Sequence, residues 1–159
     1  MSLKEYREKR NFKKTPEPAP GKKRALKAAG EPLSYVIQRH HASHLHWDLR
    51  LEENGELLSW AVPKEPPAES GIRRLAVQVE NHALEYGSFE GTIPEGEYGA
   101  GTVEIWDKGT YEPLDTSPSK RVFELHGRRL KGIYSLVKLK AHDPSDKNWL
   151  LLKTKDRLG

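Results

Sequence analysis

The chain has 159 residues, a formal net charge of +4 and 35% hydrophobic residues, which is the size of one ordinary domain. It contains no cysteine, so a disulfide framework, a cysteine zinc ribbon and a thiol nucleophile are excluded. No apolar run approaches the roughly 18 residues of a membrane span and no apolar stretch follows the charged N-terminus, so we expect a soluble, intracellular protein.

The positive charge is concentrated at the N-terminus. Residues 1–30 hold ten basic and three acidic residues, whereas residues 31–159 carry a net charge of −3. Four prolines between Pro16 and Pro32 argue against a continuous helix there. We therefore predict a basic, flexible arm over 1–30 and a folded domain over 31–159. Such an arm is typical of contact with a polyanion, although a solvated tail would carry the same charge.

Short β-branched and aromatic runs separated by turns fill the rest of the chain. Asn54-Gly55 is a strong two-residue hairpin signal, Lys108-Gly109 resembles a second hairpin turn, and Thr92–Gly101 is a glycine-rich loop. The predicted strands are Ser34–Arg39, Leu45–Glu52, Leu57–Val62, Arg73–Glu80, Thr102–Asp107, Thr110–Glu112, Val122–Leu125, Ile133–Leu139 and Trp149–Lys153. Many short strands indicate a barrel or a sandwich. We expect a mostly β fold: a small closed or partly closed antiparallel β-barrel of about eight strands with little helix.

Four of the seven histidines lie in one segment: His40, His41, His44 and His46. Because alternate side chains of a strand share a face, His46, Asp48 and Arg50 lie together, opposite an apolar face that runs from Leu45 to Leu51. Imidazole and carboxylate groups ligate divalent metals, and a neighbouring arginine can bind a phosphate. With His40, this row is a candidate metal and anion site, whereas an isolated strand histidine such as His41 or His44 is usually a surface residue.

A second polar row is predicted on the fourth strand. Its members share one parity: Arg74, Ala76, Gln78, Glu80 and, if the strand continues, His82. The alternate positions, Leu75, Val77 and Val79, are expected to be buried, and Tyr86 follows shortly after the strand. Placed beside the first row, this face would add phosphate ligands and a proton donor.

Two long runs carry a family resemblance: QRHHASHLHWDLRLEENGELLSWAVPKEP and RRLAVQVENHALEYGSFEGTIPEGEYGAGTVEIWDKGTYEP. In this order they closely resemble the 3′-phosphoesterase domain of bacterial and archaeal DNA ligase D, and the arm segment around Leu3, Tyr6 and Phe12 is similar as well. The chain has no Lys-x-Asp-Gly nucleotidyl-transfer motif, so it resembles a free-standing form of the domain.

The resemblance implies a manganese-dependent enzyme that removes a 3′-terminal ribonucleoside and then the remaining 3′-phosphate, leaving a 3′-OH, in non-homologous end joining. It implies that His40, His46 and Asp48 ligate the metal, and that Co²⁺ or Zn²⁺ could replace Mn²⁺. The other implied site residues are Arg50 and His82 on the scissile phosphate, Arg74 and Tyr86 in the active site, and Gln38, Lys64, Arg10 and Glu17 in support. The family carries Asp where this chain has Asn11.

The implied partners are the 3′ ends of DNA or RNA/DNA primer-templates, with an end-joining ligase and polymerase as separate chains. We expect a cytoplasmic, nucleoid-associated prokaryotic monomer with no membrane contact. Two other hypotheses stand beside this one. His44-Leu-His46 resembles the His-x-His of a cupin-type small-molecule metalloprotein, although that fold's glutamate would be needed at Arg50 or Leu51. The same anion site could also belong to a non-catalytic module that binds nucleic-acid ends.

Overall fold

The computed structural model describes residues 32–96, 100–139 and 147–154. These residues form nine strands and one short 3₁₀ helix, η1. Their bounds are β1 Leu33–His41, β2 Leu45–Glu53, β3 Glu56–Val62, β4 Arg73–Ala83, η1 Leu84–Ser88, β5 Gly91–Ile93, β6 Gly101–Ser117, β7 Lys120–Gly127, β8 Lys131–Lys138 and β9 Asn148–Lys153. The predicted arm over 1–30 lies outside the described residues. No helix among the described residues is long and apolar enough to cross a membrane.

The strands form a closed antiparallel barrel. Their order is β1-β2-β3-β4-β9-β8-β7-β6-β5, and an additional pairing between β1 and β6 joins eight of them into a ring. β5 lies outside the ring and pairs only with the start of β6, where Gly91 is opposite Val103. The prediction of a closed antiparallel barrel of about eight strands is therefore confirmed, and closure removes the free edges that an open sheet would expose.

The β2–β3 hairpin follows the sequence pattern. Asn54 and Gly55 both have positive φ, 52° and 80°, as a two-residue hairpin turn of this kind requires. Alternation on β2 then directs Leu49 and Leu51 into the barrel, where each is 1% exposed. The interior is completed by Trp47 of the same strand and by aromatic and aliphatic side chains from the other strands of the ring: Tyr35, Ile37, Trp60, Val62, Ala76, Tyr111, Phe123, Leu125, Tyr134, Leu136, Trp149 and Leu151.

The predicted hairpin turn at Lys108-Gly109 is wrong, because β6 runs through it as one strand of 17 residues. Gly109 pairs with Tyr35 on β1 and with Gly127 on β7. A Cβ at Gly109 would collide with the His126 carbonyl oxygen, so the glycine permits a close approach of two strands.

The expected burial of β4 is also corrected. Leu75 is 41% exposed, whereas Ala76 is fully buried opposite Trp149 of β9. Val79 pairs with Ser59 and His82 pairs with Leu57. Between these two pairs β4 advances by three residues and β3 by only two, so β4 has a bulge there. The bulge changes which residues of β4 face outward, so His82, which follows the bulge, lies on the outer face of the barrel. Arg74, which precedes the bulge, pairs with Leu151 and belongs to the set of alternate residues that face the interior.

A segment that the sequence did not predict as structured covers part of the outer face. β4 continues to Ala83, η1 follows, and β5 occupies Gly91–Ile93 within the predicted glycine-rich loop. Residues 97–99 of that loop lie outside the described residues. The covering segment forms a second apolar cluster against the barrel wall: Leu57, Ala83, Tyr86, Phe89, Ile93 and Val103.

Candidate active site

The β1–β2 hairpin brings three potential metal ligands together on the outer face. His40 and His46 are direct cross-strand partners, and their ring centroids are 4.8 Å apart. Asp48 Oδ2 lies 3.2 Å from His46 Nε2 and 3.8 Å from His40 Nδ1. One ligand atom from each residue lies within 4.8 Å of the others, which is close enough for a single ion to bind all three. We name this group the His-Asp trio.

The trio is held in a form suited to ligation. His46 Nδ1 donates to the His44 carbonyl oxygen at 3.1 Å, because a carbonyl can only accept, and this leaves Nε2 as the ligating atom. Burial alone would lower the pKa of His46, but the Asp48 carboxylate raises it above its ordinary value. Burial likewise would raise the pKa of Asp48, but Arg50 and His46 lower it. Both shifts favour the charged forms, so Asp48 is already the carboxylate that could ligate a metal, whereas His46 must release a proton before its Nε2 could bind one.

Arg50 is fixed next to the trio by hydrogen bonds on two sides. Its Nε donates to Gln38 Oε1 at 2.6 Å, and its Nη1 donates to Ser59 Oγ at 2.8 Å. Its Nη2 lies 3.4 Å from Asp48 Oδ2. Arg50 is only 3% exposed, so its cation and the Asp48 carboxylate form a largely buried ion pair. A guanidinium held in this way presents a fixed plane of donors to an anion.

His82 and Tyr86 complete the arrangement from the covering segment. The Arg50 guanidinium carbon lies 4.7 Å from the centre of the Tyr86 ring, and the rings of His82 and Tyr86 are 4.8 Å apart. His82 Nδ1 donates to the Glu80 carbonyl oxygen at 3.0 Å and lies 3.4 Å from Ser59 Oγ. Gln38 Nε2 donates to the Tyr86 carbonyl at 2.7 Å, which ties η1 to β1. The cover and the barrel wall thus share one hydrogen-bond network.

Other predicted residues lie elsewhere. Arg74 donates from Nε to the Glu65 carbonyl at 2.9 Å, and no contact described for residues 32–96 joins it to Arg50 or His82. Lys64 is exposed in the segment after β3, and no contact is described for it in that part of the chain. Arg10, Glu17 and Asn11 precede the described residues.

Ser59 is a site residue that sequence reasoning missed. It is fully buried, and its Oγ contacts both Arg50 and His82. The signal was present, because Ser59 is the one hydroxyl residue in the otherwise apolar run Leu57–Val62 of β3 and lies directly opposite Arg50. A second group that could ligate a metal, Glu112, Glu124 and His126, is largely exposed on β6 and β7.

The arrangement has a definite chemical capacity. Two imidazoles and a carboxylate can hold a divalent cation, and a buried guanidinium, an imidazole and a phenol lie beside them. A cation next to an arginine suits a doubly charged oxyanion such as a phosphate, since both centres neutralise its oxygens.

Comparisons with known proteins agree with this chemistry. Residues 38–138 match the model of the DNA Ligase D 3′-phosphoesterase domain. The chain is 46% identical over 160 residues to the Multifunctional non-homologous end joining protein LigD of Pseudomonas aeruginosa, covering 97% of this chain and 19% of that protein. It is 43% identical over 163 residues to the protein of the same name from Mycolicibacterium smegmatis, covering 96% of this chain and 20% of that protein. The chain thus spans about a fifth of the length of these relatives. The matched region includes the trio, Arg50, His82 and Tyr86, and the chain belongs to the DNA ligase D 3′-phosphoesterase domain family.

Proposed function

We propose that this protein is a metal-dependent phosphoesterase that trims the 3′ ends of DNA or RNA/DNA primer-templates during non-homologous end joining. It removes a 3′-terminal ribonucleoside as a phosphodiesterase and a 3′-phosphate as a phosphomonoesterase, leaving a 3′-OH. The observation that carries the proposal is the buried Asp48–Arg50 pair, in which a carboxylate of the kind that ligates metals lies 3.4 Å from a guanidinium of the kind that binds phosphate. The family match supports it over the cupin-type hypothesis.

The residues present fit a divalent metal. His40, His46 and Asp48 offer mixed nitrogen and oxygen ligands, which suit Mn²⁺ and also Co²⁺ or Zn²⁺. When bound there, such an ion would supply a Lewis acid for a phosphate oxygen and a bound water for attack. The hydrogen bond from His46 Nδ1 to the His44 carbonyl orients Nε2 for ligation.

Arg50 and His82 would bind the scissile phosphate. The Gln38 and Ser59 hydrogen bonds fix two of the guanidinium nitrogens, so Arg50 loses little freedom when it binds an anion. His82 donates from Nδ1 to the Glu80 carbonyl, which orients Nε2 as the ring atom to contact phosphate. Together they would stabilise the charge that develops on the phosphate oxygens in the transition state.

The leaving oxygen needs a proton in both steps: the 5′ oxygen of the ribonucleoside in the diesterase step and the 3′ oxygen of the strand in the monoesterase step. Two groups could donate it. A protonated His82 and the Tyr86 hydroxyl both lie beside Arg50, and their rings are 4.8 Å apart. The variants Tyr86→Phe and His82→Gln separate the two roles. Loss of the alkaline limb of the rate profile in one variant alone identifies that residue as the acid.

The supporting residues have a different role. Lys64 and Arg74 would contact the nucleic acid away from the scissile phosphate, since Arg74 hydrogen-bonds the Glu65 carbonyl and is not joined to Arg50. The arm over 1–30, with its net charge of +7, would supply long-range attraction. Arg10 and Glu17 would assist the diesterase step, to which Asn11 brings no charge.

The test is turnover of a primer-template that ends in a 3′-phosphate or in a 3′-ribonucleotide. We expect release of phosphate and of the nucleoside with Mn²⁺, none with chelator, and none from His46→Ala with Mn²⁺. Binding of the same DNA without turnover would favour the non-catalytic end-binding module. Equal rates with metal and with chelator would contradict the metal-dependent mechanism.

A further inference from the structure

A groove lies on the same outer face as the site. It has a volume of about 660 Å³ and an apolar floor formed by Val36, Leu57 and Leu84. Charged residues stand around it: Lys108, Arg128 and Glu85. Its rim is therefore net positive on a body, residues 31–159, that is net negative.

The groove lies one strand away from Arg50 in the sheet. Val36 on β1 is the direct partner of Arg50 on β2 and of Lys108 on β6. Side chains of direct partners share a face, so Arg50, Val36 and Lys108 form one row across three adjacent strands. With neighbouring strands about 4.8 Å apart, the Cα atoms of Arg50 and Lys108 are separated by roughly 10 Å. Phosphates of one DNA strand advance about 3.4 Å per nucleotide along the helix axis and lie farther apart than that in space, so this distance spans at most about three nucleotides.

The backbone turn that carries Arg128, the second cation of the rim, is fixed by hydrogen bonds. The buried Asp107 carboxylate accepts hydrogen bonds from the backbone N–H of Arg128 and of Arg129 at 2.9 Å, and from that of Leu130 at 3.0 Å. It also accepts the Tyr35 hydroxyl at 2.7 Å. Four hydrogen bonds therefore fix the turn that carries Arg128 beside the groove.

Lys108 and Arg128, the two cations at the rim, differ from Arg129 and Arg121 in their contacts within the protein. Arg129 is engaged with Trp106, donating to its carbonyl at 2.8 Å and stacking 4.8 Å from its ring, and Arg121 pairs with Glu53 at 3.0 Å. Within the described part of the chain, neither the Lys108 ammonium nor the Arg128 guanidinium forms a hydrogen bond or an ion pair with another residue. Both side chains are exposed and available to an external anion.

We infer that this groove binds the sugar-phosphate backbone of the processed strand, one to three nucleotides on the 5′ side of the 3′ end, with Lys108 and Arg128 contacting its phosphates. The inference deepens the proposed function, since it assumes that Arg50 holds the terminal phosphate. The floor accommodates sugar and base edges, while the cations supply binding that does not depend on sequence. Such a subsite would let the enzyme act on an end of any sequence.

The first test is binding of an all-deoxy primer-template duplex with a 3′-OH end, which is a substrate for neither proposed activity, to the full chain at several salt concentrations. We expect Lys108→Ala and Arg128→Ala each to weaken binding by about eightfold at about 0.1 M salt. Each should also make the negative slope of the logarithm of the association constant against the logarithm of the salt concentration shallower by about 0.9. Lys120→Ala is the matched control, because it removes an exposed lysine near the far end of β6, at the β6–β7 turn. Losses no larger than that of Lys120→Ala would overturn the inference.

The second test locates the strand. A methylphosphonate removes the charge of one linkage, and we place it at each of the last three linkages of the 3′ strand or in the complementary strand. We expect one position in the 3′ strand to weaken wild-type binding yet to have no effect in Lys108→Ala. Coupling to the complementary strand, or no coupling anywhere, would overturn the assignment. Because this readout needs no turnover, a chain that bound in this way without hydrolysing a 3′-phosphate would refute the proposed function and leave the groove intact.

Discussion

The two faces of strand β2 are equally buried and chemically opposite. On the inner face Leu49 and Leu51 are each 1% exposed, and on the outer face Asp48 and Arg50 are 6% and 3% exposed. The inner residues are buried by the closure of the barrel, whereas the outer ones are covered by η1 and its neighbours. Burial in this protein therefore has two sources, one that maintains the fold and one that excludes water from charged groups.

The difference predicts which substitutions affect stability and which affect activity. Apolar contacts inside a barrel contribute directly to the free energy of unfolding. A buried ion pair contributes little to it, because the desolvation of both charges offsets their attraction. Removing one partner alone, however, leaves the other charge buried and unpaired, so substitutions on the outer face should lower activity far more than folding but should also cost some stability.

The largest effect is expected from the trio. Asp48→Asn keeps the shape of the side chain but removes the anionic ligand, so we expect both 3′-end activities to fall by more than about 100-fold. Circular dichroism should show that the barrel remains folded, and the urea midpoint should fall because Arg50 loses its buried counter-charge. Activity within a few-fold of wild type would mean that Asp48 is not a ligand.

The matching substitution on the inner face should show the reverse pattern. Leu49→Ala leaves a cavity in the barrel interior, and we expect it to lower the free energy of unfolding by about 2–5 kcal/mol. Activity per folded molecule at low temperature should stay close to that of wild type. A large loss of turnover with unchanged stability would show that the two faces are not independent.

A smaller effect on the rate is expected from Arg50→Lys, which keeps the positive charge of the side chain but loses its planar shape. Arg50→Lys retains the cation but cannot make both the Gln38 and the Ser59 hydrogen bonds in the same plane. We expect the rate at saturating substrate to fall by about 10–100-fold, the equivalent of one or two charged hydrogen bonds. Stopped assays with a 3′-phosphate primer measure this rate. Near-normal turnover would mean that Arg50 contributes only its positive charge and not the geometry of its hydrogen bonds.

The smallest effect concerns pH in the metal-free protein. The folded-state pKa of His46 is raised, so its protonated form adds stability that is complete below the ordinary pKa and lost as pH rises through the raised value. The folded-state pKa of Asp48 is lowered, so its contribution is present above the ordinary pKa and lost as pH falls through the lowered value. The stability difference between wild type and His46→Gln should therefore be larger at pH 5.5 than at pH 8.5 in urea titrations with chelator. A difference that grows toward alkaline pH would contradict the assigned direction.

Local patterns predict much of the site, and long-range contacts account for the remainder. The alternation of β2 and the Asn54-Gly55 turn are sufficient to place Asp48 and Arg50 on one face. Alternation alone directs that face to solvent or to a cavity, because the cover comes from a segment more than 30 residues later. The bulge that separates Arg74 from His82 arises from the pairing of β4 with β3, and no pattern within β4 itself indicates it. Ser59 was missed for the same reason, since its importance comes from its partner across the sheet.

The closure of the barrel has a consequence for the order of folding. His40, His46 and Asp48 belong to one hairpin and meet across a loop of a few residues, which closes within microseconds in ordinary chains. Ring closure instead pairs Leu33 with Tyr111, 78 positions apart in sequence, and contacts of that separation form late because their entropic cost is high. We therefore expect the metal ligands to meet early on the folding pathway, whereas Lys108 reaches its position beside β1 only when the ring closes. A chain trapped before that step would have the His-Asp trio assembled and would lack the groove.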